Sequence, residues 1–197
     1  IGKPLMSILH PNPRLPIWLG TGTEANVKMT AEIADGWLPL GLVPGNWKLY
    51  QGWVEAGFAR AGNGKSWNDF EIQASSTVIL TDDVRGALAR IKPRVALYVG
   101  GMGHRNINFH NQMMVRRGYA DAAARIQELY LAGRKAEAAD AVPDEFVDDG
   151  ALVGPVARIR ERFKEWTQIP VTGLTINGDA PGTLELMAEV AGLRAAA

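Results

Sequence analysis

The segment Leu19-Gly20-Thr21-Gly22-Thr23-Glu24 holds the residue types best suited to meeting a ligand. Glycines let a backbone approach another group closely, and threonines bring hydroxyl donors. The short apolar run Ile17-Trp18-Leu19 precedes it and a helical pattern follows, so it reads as a turn from a strand end into a helix start. N–H groups left unpaired there carry partial positive charge and suit a phosphate. The segment is not the dinucleotide fingerprint, because Ala25 and Asn26 stand where a further glycine is needed, nor a P-loop, because no Gly-Lys-Thr/Ser follows. Two readings stay open. Gly20, Thr21, Gly22 and Thr23 form a phosphate cradle, or the turn is simply tight and its threonines cap the helix, with Thr21 and Glu24 as a capping box.

Other chemistry-bearing residues are sparser. His104 and His110 are six apart, not a helical metal pair, and no carboxylate lies suggestively between them, so no metal site is expected. His10 or His104 could donate a proton in a cleft, whereas His110 reads as a partly buried polar residue. Ser75 and Ser76 sit in a strand without a nucleophile elbow. Asp82-Asp83 and Asp148-Asp149 read as cap and turn residues rather than paired catalytic acids. Trp18 and Trp37 could wall a cofactor ring, but core packing is the commoner use of such residues.

The elements that must position these residues alternate. The prolines from Pro4 to Pro16 keep the start irregular, with Met6–Leu9 as a short extended piece. A strand at Ile17–Leu19 is followed by a helix over Thr21–Asp35, a strand at Trp37–Leu40 and a helix over 46–61. The clearest strand is Glu71–Leu80, after which Asp82-Asp83 caps a helix that Pro93 could kink before Gly100-Gly101. Helical stretches follow over 109–117, 121–132 and 134–141; Pro143 suits a first helical position. A helix at Pro155–Trp166, a strand at Val171–Ile176 and a helix at Pro181–Leu193 complete the order.

Four strands joined by helices argue for a parallel α/β sheet. The first two are short, as in a (β/α)8 TIM-barrel, and four are half of such a barrel. The helical block at about 101–153 is too long for an ordinary connection and reads as an insertion before the last strand. The whole of 1–197 is expected to form one unit, the C-terminal half of a barrel. The chain opens Ile1-Gly2-Lys3-Pro4 without an initiating Met, so further sequence upstream is expected.

Composition narrows the function classes. With 47% hydrophobic residues in 197, the chain carries a real core. Lys plus Arg and Asp plus Glu number 21 each, and the densest basic run, Arg158 to Arg162, is broken by Glu161 at helical spacing, so no nucleic-acid partner is expected. Cysteine is absent, which removes disulfides, thiolate metal sites and a thiol nucleophile and fits a cytoplasmic setting. No apolar run is long enough for a membrane span.

Pro16-Ile17-Trp18-Leu19-Gly20 and Ala31-Glu32-Ile33-Ala34-Asp35-Gly36-Trp37-Leu38-Pro39 together resemble the luciferase-like monooxygenase family. Leu97 to Gly103, Asn108-Phe109, Gly118-Tyr119, Ile126 to Arg134, Val142 to Glu145 and Leu152 to Pro155 continue the resemblance and look most like the branch that uses coenzyme F420, a deazaflavin hydride carrier. The resemblance implies a (β/α)8 barrel of which the last four βα units are present, with an insertion before the last strand. It implies cofactor phosphate binding at Gly20, Thr21, Gly22 and Thr23, and a substrate-side loop at Gly41, Leu42 and Val43. The implied reaction is hydride transfer between F420 and an organic small molecule. FMN-dependent monooxygenation and an inert partial-barrel flavoprotein or interaction module are the alternatives. The implied assembly is a homodimer, or a barrel completed by an N-terminal half. The loop Gly41–Gly45 carries no charge, which disfavours a strongly anionic substrate.

Overall fold

A computed structural model describes residue 10, residues 12–178 and residues 180–193. The expected extended piece at Met6–Leu9 lies outside the described residues. Strand β1 (Trp18–Thr21) leads to helix α1 (Glu24–Ile33), β2 (Gly36–Pro39) and α2 (Trp47–Ala61). Strand β3 (Glu71–Leu80) precedes α3 (Val84–Ala96), which runs through Pro93 and widens into a π turn at Leu97–Gly101. Helices α4 (Phe109–Arg116), α5 (Ala120–Leu131), α6 (Lys135–Asp140) and α7 (Asp144–Asp148) make the insertion. Strand β4 (Ala151–Gly154), α8 (Val156–Trp166), β5 (Gly173–Asn177) and α9 (Thr183–Val190) follow.

All strand pairings among these are parallel. β1 pairs β2 from Trp18↔Gly36 to Thr21↔Pro39, and β2 pairs the start of β3 at Gly36↔Glu71 and Trp37↔Ile72. β3 then pairs β5 from Gln73↔Gly173 to Thr77↔Asn177, and β4 from Thr77↔Ala151 to Leu80↔Gly154. Four consecutive βα strands are therefore β1, β2, β3 and β5, and β4 is a fifth strand that prolongs the far end of β3. The expected count of four omitted β4, which lies where the insertion was expected to end. Its four residues are all buried, so the alternation that would mark a strand is missing. Pro143 is also displaced by one from its expected place, serving as the N-cap of α7.

The strand period separates two faces of β3. Ile72, Ala74, Ser76 and Val78 are buried against the helices, while Gln73, Ser75 and Thr77 lie on the opposite, partly open face. One core sits between the sheet and α1, α2, α8 and α9, built on Val27, Trp37, Tyr50, Val54, Ile72 and Ile159. A second fills the insertion and includes Leu88, Val99, Met114, Ile126, Val142 and Val153, so β4 belongs to both sheet and insertion. The Arg158–Arg162 run is tied down: Arg158 and Arg162 pair with Asp148, and Arg160 with Glu189. No helix among the described residues is long and apolar enough to cross a membrane.

Two predictions follow from the packing. α1 and α2 cross so closely at Gly57 that a Cβ there would lie 2.5 Å from Ala31 Cβ and against the Lys28 carbonyl. Gly57→Ala is expected to cost roughly 1–3 kcal/mol through overpacking, lowering the melting temperature by about 2–10 °C in a calorimetric scan. An unchanged midpoint would show that the helices part without cost. The outer edges of β1 and β5 carry no partner strand among the described residues. Expressed alone, residues 1–197 are therefore expected to self-associate or aggregate, and a sharp monomer boundary in sedimentation with cooperative unfolding would contradict this.

Candidate functional site

Ligand sites of parallel βα folds lie beyond the carboxyl ends of the strands. Here that rim is formed by Thr21 and Pro39, the last residues of β1 and β2, by Thr77 within β3, and by Asn177, the last residue of β5. A cleft of about 410 Å³ opens at it, lined on the strand side by Pro39, Ser75, Thr77 and Asn177. The loop after β2 enters through Leu40 and Gly41, and the far wall comes from α3 and its π turn through Arg94 and Tyr98 and from the insertion through His110 and Met113. An equally large cleft, about 430 Å³, lies between α8, β5 and α9. Trp166, Leu174, Leu184 and Met187 line it; it sits on the flank of β5, away from the strand ends, and is apolar. We take the first as the candidate site because of its position and its polar groups.

The β1–α1 turn forms the adjoining part. Thr21 Oγ1 lies 2.9 Å from Thr30 Oγ1, which in turn donates to the Asn26 carbonyl, so the Thr21 hydroxyl is engaged within the fold. Gly22 is buried, and a Cβ there would meet Phe109 Cζ at 2.5 Å and Leu40 Cβ at 2.9 Å. The ring of an insertion residue thus occupies the space that the glycine leaves. Thr23 is exposed at the N-cap of α1 and makes no side-chain cap bond. The expected Thr21–Glu24 capping box does not form, because Thr21 belongs to the strand and Glu24 pairs with Lys28. Gly20 is exposed in β1. The groups of this turn that stand open to an anion are Thr23 and the first N–H groups of α1, so a cofactor phosphate fits at Thr23 more readily than over Gly22.

The loop after β2 is built around a glycine. Gly41 has φ +82°, a region that other residues rarely adopt, and any side chain there would collide with Met113. Asn46 holds the loop by donating from Nδ2 to the Gly41 carbonyl at 2.9 Å while its Oδ1 accepts from Val43 N–H at 3.0 Å. Of the three residues expected on the substrate side, Gly41 lines the cleft, while Leu42 and Val43 are 4% and 6% exposed and pack inward.

The insertion presents its wall through the π turn. Asn108, 3% exposed, donates from Nδ2 to the carbonyls of Tyr98 and Val99 at 3.0 and 2.9 Å, and its Oδ1 caps α4 at Asn111 N–H. Asn111 adds donations to Val99 and Ala123. A π turn leaves carbonyls without their usual helical donors, and these two amides satisfy them. Tyr98 is thereby fixed facing the cleft. His110 packs edge-on to it at 4.7 Å and to Phe109 at 5.2 Å, and burial holds its pKa below the ordinary histidine value.

The histidines are thus distributed otherwise than the sequence suggested. His10 is exposed, and His104 is exposed in a local turn where its ring accepts from Asn106 N–H. His110 is partly buried, as read from the sequence, and it is also the histidine that reaches the cleft. Trp37 is fully buried against Tyr50 and donates to the Thr21 carbonyl, while Trp18 covers Gly36, so both tryptophans serve packing. Ser76 donates to the Gly150 carbonyl, Asp83 caps α3, and Asp149 pairs with Arg117. Among the described residues no cluster suited to a metal is present.

This arrangement defines a segment of a (β/α) barrel with a ligand cleft at the carboxyl ends of its strands. The model of the luciferase-like monooxygenase family matches residues 3–173, and the chain belongs to that family. It is 41% identical over 194 residues to a Mycobacterium tuberculosis protein provisionally named a coenzyme F420-dependent oxidoreductase, covering 98% of this chain and 55% of that protein. The fold is similar to that of the F420-dependent tetrahydromethanopterin reductase from Methanopyrus kandleri, with a TM-score of 0.67 at 21% identity over 90% of this chain and 49% of the other. It is also similar to that of an F420-dependent secondary alcohol dehydrogenase solved with an F420–acetone adduct, with a TM-score of 0.64 at 12% identity over 91% of this chain and 49% of the other. The chain spans about half the length of these relatives.

Asn108 gives this wall a test. Asn108→Ala would leave buried carbonyls short of donors and remove the α4 cap, a loss of about 2–4 kcal/mol. Amide exchange at residues 97–101 should accelerate and the melting temperature should fall. Exchange that stays at the parent rate would mean the π turn does not depend on this side chain.

Proposed function

We propose that this chain is the strand-end and insertion portion of an F420-dependent oxidoreductase that transfers a hydride between the deazaflavin and a small organic molecule. The 41% identity across nearly the whole chain to a relative named for F420-dependent oxidoreduction carries this reading. The cofactor supplies the hydride chemistry, and the residues here bind, orient and exclude water. Thr23 and the first turn of α1 hold the phosphate, with Gly20, Thr21 and Gly22 shaping the turn that presents them. Gly41 and the insertion wall receive the substrate, while Leu42 and Val43 anchor the loop from below. The unpaired edges of β1 and β5 support a partner that completes the barrel, either a further segment of the protein or a second copy, in a cytoplasmic setting.

Equilibrium titration of the full-length gene product with F420, and separately with FMN, tests this. F420 is expected to bind and to quench in a saturable way, with Thr23→Val weakening it severalfold and leaving the fold intact by circular dichroism. FMN binding in place of F420 would move the protein to the flavin monooxygenases of the family. Binding of neither would favour a catalytically inert partial-barrel module.

A further inference from the structure

The cleft beside Gly41 contains a single permanent charge. Arg94, in the last turn of α3, lines it, and among the described residues no carboxylate does. The guanidinium lies 5.9 Å from the centroid of the Tyr98 ring. Some arginines of the chain are matched to acids, Arg117 to Asp149 and Arg158 and Arg162 to Asp148, while Arg60, Arg85, Arg90 and Arg116 pair with no acid among the described residues. Arg94 has no such partner among the described residues. A guanidinium is charged at every physiological pH and offers a planar fork of donors that matches a carboxylate or phosphate.

The rest of the wall divides in two. Ser75 and Thr77 of β3 and Asn177 of β5 face the cleft as neutral polar groups. Ile91 and Val95 of α3, with Met113 and Phe146 of the insertion, make an apolar side. Burial disfavours the charged form of His110 and lowers its pKa.

We propose that this cleft takes a substrate with an anionic group, carboxylate or phosphate, beside an apolar body. Arg94 pairs with the anion and Ile91, Val95 and Met113 hold the body. Arg94 is then a specificity-determining residue, and the inference rests on the oxidoreductase reading above while naming the substrate class of the same site. The uncharged loop Gly41–Gly45 pointed the other way; the charge arrives from α3, which the topology brings across from the far side of the cleft.

The test is calorimetric titration of the full-length gene product, without cofactor, using octanoate, octyl phosphate and octanamide. The two anions are expected to bind about threefold to fivefold more tightly than the amide, the margin an ion pair on the exposed Arg94 guanidinium allows. Arg94→Met should remove that margin, Arg94→Lys should keep part of it, and both variants should retain the parent's F420 affinity. Equal binding of octanoate and octanamide, or a margin that survives Arg94→Met, overturns the proposal. If Arg94→Met weakens F420 binding instead, the anion in question belongs to the cofactor and the substrate assignment fails. A parent protein that shows the anion margin yet binds no F420 would sink the oxidoreductase reading while keeping the anion site, so the two failures are told apart.

Discussion

A β-strand has two edges, and each backbone group on them can be used once. β3 meets that limit by dividing one edge between two partners, β2 over Glu71–Ile72 and β4 over Thr77–Leu80, while β5 takes the other edge over Gln73–Thr77. Everything at the candidate site depends on this division. The barrel strands stay in order because β2 has the start of the shared edge and β5 has the opposite one. The insertion is fastened to the sheet because β4, whose Val153 lies in the insertion core, has the far end of the edge that β2 begins. Were β3 a few residues shorter, the helices α3 to α7 would have only side-chain packing to hold them over the strand ends.

The cleft lies where these two bodies meet. Its strand side carries the small polar residues Ser75, Thr77 and Asn177, and its far side is set by the π turn. Widening one turn of helix frees carbonyls that a regular helix would satisfy. Asn108 and Asn111 supply donors for them from outside the helix, so an irregularity in the backbone becomes a fixed position for Tyr98. Gly100 and Gly101 keep the turn close to Tyr130 of α5, where a side chain at either would collide with the ring. Buried amides and missing side chains together turn a locally unusual helix into a rigid wall.

Much of this was legible in the sequence because it is locally encoded. The polar and apolar alternation of Glu71–Leu80 marks β3 with the bounds the structure gives it, and Asp83 caps α3 as its position suggested. β4 was not legible: Ala151-Leu152-Val153-Gly154 is buried on every side, has no period, and runs straight into a helix start. The capping box failed for a related reason, since Thr21 satisfies the motif's spacing but the chain is still strand there, with its hydroxyl drawn to Thr30. The positions of Arg94 and His110 at the cleft depend on how the insertion folds back, which no local pattern records. The length of the helical block marked the insertion and the family resemblance agreed with it, but neither showed which of its side chains face inward.

The contact between Phe109 and Gly22 ties the ligand turn to the insertion. Any group that settles against the Gly22 backbone must displace a ring carried at the first residue of α4, one position after the Asn108 clamp. The two events therefore share a free energy. Whatever loosens the insertion makes the turn easier to occupy, and by the same amount occupation of the turn loosens the insertion. A wall that shapes one end of the cleft is in this way also a ballast on the other, and the mobility of the helical block becomes a property that a bound molecule can set.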